Sequence, residues 1–153
     1  MWLMKSEPDE FSITDLERVG REPWTGVRNY QARNFMRDGM AIDDPVLFYH
    51  SNCATPGIAG LARVASAPYP DPTQFDPDSD YFDPAARADA PRWLLVDIAF
   101  VRPLRRVIAL EELRAAADRL GDLALLRRGN RLSVLPVSAS QFKTILAMEK
   151  RAP

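Results

Sequence analysis

The nine residues Trp93–Val101 place the hardest constraint on how this chain can fold. Leu94, Val96, Ile98 and Phe100 alternate with Trp93, Leu95, Ala99 and Val101, so both faces of an extended segment are apolar, with Asp97 the one interruption. Such a strand must be covered on both sides. It predicts a central strand with structure packed above and below.

The rest of the pattern supplies the neighbours. Trp2–Lys5 reads as a first strand. Ser12, with Asp15 three residues on, reads as the cap of a short helix that stops at Gly20. A second helix is expected over 29–38, begun by Asn29 and closed by Gly39. Val46–His50 and Ile58–Ser66 read as strands either side of the Pro56-Gly57 turn. Residues 68–91 carry six of the 13 prolines and cannot stay regular for long. Beyond the central strand come a helix over 110–120, a shorter helical piece over 122–128 and a strand over 132–135. A last helix is capped by Ser138 with Gln141. Strands often follow one another directly, so the fold class is α+β, a small mixed barrel or curled sheet flanked by helices. At 153 residues the chain has the length of a single domain, 1–153.

Several functions are disfavoured at once. Cys53 is the single cysteine, so there is no internal disulfide and no multi-thiolate metal site, and a reducing, cytoplasmic setting is expected. No apolar run is long enough for a signal peptide or a membrane span. His50 is the lone histidine, and its neighbours Ser51 and Cys53 do not make a triad with it. There is no phosphate loop, zinc-protease motif or dinucleotide fingerprint. Asp71, Asp76, Asp78, Asp80 and Asp83 lack the glycine and closing glutamate of a calcium loop. No catalytic residue, cofactor or metal is expected.

Polar chemistry stands instead where core would be expected. Phe48-Tyr49 runs straight into His50, Ser51 and Asn52, three hydrogen-bonding side chains at a strand end. Two readings are open: a turn that merely ends the strand, or groups aimed into a pocket. Trp24 sits in a loop beside Arg28, Asn29 and Tyr30, where it is either a lid on the core or a ring on which a flat ligand stacks. Residues 23–37 hold Arg28, Arg33 and Arg37 and no acid, either a solvated helix face or a phosphate contact. Lys5 and Ser6 end the first strand. Together these groups outline a pocket with a cationic helix start beside it.

The segments Trp2-Leu3-Met4-Lys5-Ser6-Glu7-Pro8, Trp24 to Asn34, Phe48 to Asn52, Pro56 to Gly60 and Pro91-Arg92-Trp93 closely resemble the EVE domain family, in order and across essentially the whole chain. The sequence departs at Asp43-Asp44-Pro45, where that family usually carries Gly-Asp ahead of the strand. The resemblance implies a PUA-like fold related to YTH and ASCH domains. It also implies a non-enzymatic, nucleic-acid-binding reader of a modified base, a modified cytosine in DNA, extruded into a pocket. By that likeness Lys5, Ser6, Trp24, Asn29, Tyr30, His50, Ser51 and Asn52 form the base pocket, and Arg28 and Arg33 hold phosphates. Two rivals remain: an RNA-binding or RNA-modification accessory protein of ASCH or PUA type, and a small hydrolase acting on modified nucleosides through His50 or Lys5. The expected partner is modified DNA or RNA, with no membrane and with other proteins supplying any effector activity.

The formal charge of −1 hides a segregation. Residues 71–89 hold six acids and one arginine, while the remainder has 19 basic and 15 acidic residues. The near-neutral total excludes a binder held by bulk phosphate attraction. The segregation leads to the expectation that the acidic, proline-rich loop lies away from the nucleic-acid face.

Overall fold

The computed structural model describes residues 1–152. Six strands form one strongly curled sheet in the order β2-β7-β4-β3-β1-β8, built from β1 (Trp2–Ser6), β2 (Arg21–Pro23), β3 (Pro45–His50), β4 (Gly57–Val64), β7 (Asp97–Ala109) and β8 (Val134–Pro136). A second ribbon pairs β5 (Tyr69–Pro70) with β6 (Leu94–Leu95). All pairings in the main sheet are antiparallel except β1 with β3, where Trp2 to Ser6 run in register with Val46 to His50. That parallel pair delivers the last residues of both strands to the same end of the sheet.

Both faces are covered. One face carries Met4, Phe48, Val96 and Ile98, packed against Ile13 and Leu16 of α1 (Ile13–Val19) and Ala32 of α2 (Tyr30–Asn34). The opposite face carries Leu3, Leu47, Ile58 and Ile108. It packs against Leu113 of α3 (Leu110–Ala115), Leu120 of α4 (Ala117–Leu120), and Ile145 and Met148 of α5 (Ala139–Met148). The α+β, curled-sheet class expected from the sequence is the observed one. No helix among the described residues is long and apolar enough to cross a membrane.

The capping signals act as their chemistry requires. Ser12 with Asp15 and Ser138 with Gln141 form complete capping boxes, and Gly20 takes the left-handed φ of +79° that ends α1. Three boundaries differ from expectation. The central strand breaks at Val96 and then runs on to Ala109 instead of stopping at Val101, because Leu104 and Ile108 keep burying one face, where Arg102 and Arg106 pair with Glu149 and Glu112, while Arg105 is exposed. Pro103 is tolerated because its partner is Gly60, beside a register shift in β4. The helix expected over 29–38 is regular only to Asn34 and closes in a π turn, with the Met40 N–H donating to the Phe35 carbonyl. The helix expected over 110–120 breaks at Ala116 into α3 and α4.

Candidate nucleic-acid interface

The end of the sheet where β1 and β3 terminate opens into a cavity of about 540 Å³. β1 and the turn after it supply Ser6, Glu7 and Phe11; β2 and the following loop supply Glu22 and Trp24. Ser51, Tyr81, Arg131 and Ser133 arrive from elsewhere in the chain. The size suits a small-molecule site, which typically encloses ~300–1,000 Å³.

Trp24 is a wall rather than a lid. It is 8% exposed and meets Phe48 and Phe11 edge-on, at ring centroid distances of 5.6 and 6.3 Å. Trp2 and Trp93 each donate their indole N–H to a carboxylate, Asp44 and Asp83. The Trp24 indole has no such partner among the described residues, yet no buried polar side-chain atom there is left unsatisfied. Its N–H is therefore open to the cavity. Deleting this ring would hollow the core at a cost of about 3–5 kcal/mol, so Trp24 cannot be removed on the assumption that the fold survives.

Glu22 pairs with Ile98 across β2 and β7, which turns its side chain to the same face as Trp24. Burial pushes its carboxyl above the ordinary range; Arg18 works against that shift and Asp97 reinforces it. No protein donor among the described residues reaches the Glu22 carboxylate. Ser6 donates to the Phe11 carbonyl at 2.6 Å and keeps acceptor capacity toward the cavity. Lys5 borders the mouth, but strand alternation puts it on the Leu3 face. Its ammonium lies 5.9 Å from the Tyr49 ring centroid, and burial lowers its pKa.

The residues singled out from sequence thus divide. Lys5, Ser6, Trp24 and Ser51 line the cavity. His50, Asn29, Tyr30 and Asn52 do not, and three of them have local tasks. His50 Nε2 accepts the Ile13 N–H at 3.1 Å, extending the cap of α1, and burial lowers its pKa. Asn29 caps α2 through the Ala32 N–H. Asn52, at a φ of +51°, donates to Glu7. Tyr30 stacks on Trp93 outside the cavity, with ring centroids 4.7 Å apart.

Arg28 is not free for a phosphate. Its donors go to Asp71, Thr73 and the Tyr81 carbonyl. Arg33 donates only to neutral oxygens, those of Asn34 and Arg92.

The acidic loop lies against the site rather than away from it. Asp71 is fully buried and accepts from the Gly26 N–H, the Arg28 guanidinium and both the N–H and hydroxyl of Thr73. Burial alone would raise its carboxyl pKa, but these hydrogen bonds, led by the Thr73 hydroxyl, outweigh it and hold the group low. The loop is fastened to the 24–28 loop, and Tyr81 becomes a cavity wall. Tyr81 was legible by the same reasoning as Trp24, as an aromatic ring stranded in a polar, proline-rich loop. Arg131 and Ser133 carried no such signal, because they arrive by pairing of β8 with β1. Among the described residues no three His, Cys, Asp or Glu side chains converge to hold a metal ion.

The EVE domain family matches residues 1–148. Thymocyte nuclear protein 1 of Mus musculus is 43% identical, over 99% of this chain and 74% of that protein. A crystallised protein of Pseudomonas syringae is 51% identical with a TM-score of 0.93, covering 97% of this chain and 98% of that one. Human THYN1 protein, crystallised in complex with 5-methylcytosine-containing DNA, is 40% identical with a TM-score of 0.94, covering 99% and 98% of the two chains.

Proposed function

The chain belongs to the EVE domain family, and on that premise we propose that it is a non-enzymatic reader that draws a modified cytosine of DNA into the cavity at the end of β1 and β3. The observation that carries the reading is the pairing, in one cavity, of an unpartnered indole donor, Trp24, with an unpartnered and partly desolvated acceptor, Glu22. A cytosine edge offers the complement, an exocyclic amine that donates and ring atoms that accept. The 5-methylcytosine DNA bound by the human relative supports the same ligand class.

The energetics are adequate without a large charge term. Extruding a base costs a few kcal/mol, and one stacking contact returns ~1–3 kcal/mol. Tyr81, 39% exposed, offers the ring for that contact. Burying one extra methyl adds about 1 kcal/mol, so the preference for modified over plain cytosine is several-fold.

The test is a titration of the full chain with matched oligonucleotides carrying one 5-methylcytosine or one cytosine, each as DNA and as RNA. Tighter binding of the modified DNA is expected. Equal affinity for modified and plain DNA overturns the reading, and a clear preference for RNA transfers the role to an RNA-binding accessory.

A further inference from the structure

Outside the cavity the structure builds a second recognition surface. Tyr30 is 50% exposed, more than any other aromatic residue described, yet it is held rigidly from beneath. Its ring stacks on Trp93 at 4.7 Å and 22°. Trp93 is itself buried, fixed by its indole N–H to Asp83 at 2.7 Å and by its backbone N–H to Gln74 at 3.0 Å. A ring kept for packing alone would be covered; this one is presented.

Its surroundings are cationic. The Arg33 guanidinium lies 4.8 Å from the Tyr30 ring centroid and donates only to neutral oxygens. Arg92, exposed beside it, is in no ion pair among the described residues. Asp38 pairs with Arg37 and Asp71 with Arg28, while Asp83 accepts from the Trp93 indole. A presented aromatic face beside two guanidinium groups that are in no direct ion pair among the described residues fits an unstacked base with its phosphate. It does not fit an apolar protein segment, which would leave those charges desolvated and unpaired.

The surface is continuous with the cavity. Arg28 lies 5.6 Å from the Tyr81 ring in the cavity wall and 5.4 Å from the Trp93 ring beneath Tyr30. Tyr81, Arg28, Trp93, Tyr30 and Arg33 therefore form one continuous run of rings and cations, leading outward from the cavity wall.

We propose that Tyr30, with Arg33 and Arg92, is a subsite for a nucleotide flanking the extruded base on the same strand, stacking its base on Tyr30 and placing its phosphate at the two arginines. This rests on the base-reader reading of the cavity and adds a second contact on the strand. The subsite supplies affinity and register, while the cavity chooses the base.

The test compares two ligands, a single-stranded DNA oligonucleotide with one central 5-methylcytosine and the free 5-methylcytosine nucleotide, on the wild-type chain, Tyr30→Ala and Tyr30→Phe. One lost stacking contact corresponds to about tenfold in affinity. Tyr30→Ala should lose about that factor for the oligonucleotide and nothing for the free nucleotide, and Tyr30→Phe should keep wild-type affinity for both. An unchanged oligonucleotide affinity in Tyr30→Ala overturns the subsite, as does a parallel loss for the free nucleotide. If the wild-type chain does not separate modified from plain cytosine, the reader reading fails, whatever Tyr30 does.

Discussion

The ring of Tyr81 lies so close over Gly26 that a β-carbon there would stand 2.6 Å from its Cζ. Gly26 also has a φ of +87°. The two loops that wall the cavity thus meet where only glycine fits. Gly26→Ala is expected to cost about 2–4 kcal/mol, from the left-handed backbone and from overpacking together. Urea denaturation measures it. In a Tyr81→Ala background the packing part should disappear and the backbone part of ~1–2 kcal/mol should stay.

Asp71 holds the same junction from below. Asp71→Asn leaves the Arg28 guanidinium without its carboxylate, and breaking such a buried pair costs about 3 kcal/mol. The loss should appear in the urea midpoint. It should be smaller when Arg28 is already Gln, and full additivity of the two changes would show that the pair is not coupled.

Stability should fall with acid in two steps. His50 is held neutral by burial, below its ordinary 6.5, so its contribution is complete above pH 6.5 and is lost as the pH drops below that value. Glu149 is held at about 2, against its ordinary 4.5, first by its hydrogen bonds from Arg102, with the Arg105 N–H and nearby arginine charges helping against burial. Its contribution is complete above pH 4.5 and drains away toward pH 2. Urea midpoints across pH should lose the upper step in His50→Gln and have a shallower lower step in Glu149→Gln.

Asp43 occupies a left-handed backbone position, with a φ of +75°, of the kind that favours glycine. The side chain recovers only an exposed pair with Arg63. Asp43→Gly should therefore raise stability by up to about 1 kcal/mol. A fall in melting temperature would mean that the Arg63 pair outweighs the backbone strain.

Glu22 should set base identity. Glu22→Gln keeps the shape but can turn a donor toward the ligand. The preference for a cytosine-type over a uracil-type base should shrink by about tenfold, the scale of one base-edge pair. Competition between matched 5-methylcytosine and thymine oligonucleotides measures it, and an unaltered ratio would remove Glu22 from recognition.

The fold was largely legible because its signals are local. Capping boxes at Ser12 and Ser138, a glycine stop at Gly20 and the apolar run at 93–101 each act over a few residues. The far half of β7 was not legible, since Pro103 reads as a stop until Gly60 is known to face it. The site was half legible for a related reason. Sequence shows which residues have spare hydrogen-bonding capacity but not which already spend it: His50 on the Ile13 N–H, Asn29 on the Ala32 N–H, Arg28 on Asp71. The acidic run looked like a solvated loop because its one buried carboxylate, Asp71, is indistinguishable in sequence from its exposed neighbours.

The pairing of β1 with β8 has a consequence for the life of the chain. The Lys5 N–H waits for the Ser133 carbonyl, so β1 finds this neighbour only once the distant β8 has been made. Closure across so long a loop is slow. During vectorial synthesis that edge of β1 stays bare until β8 has left the ribosome. The cavity mouth, which needs Arg131 and Ser133, cannot exist before then. Closure of the cavity is thus a late checkpoint, and a chain stopped before β8 carries Trp24 and Glu22 without the mouth that Arg131 and Ser133 complete.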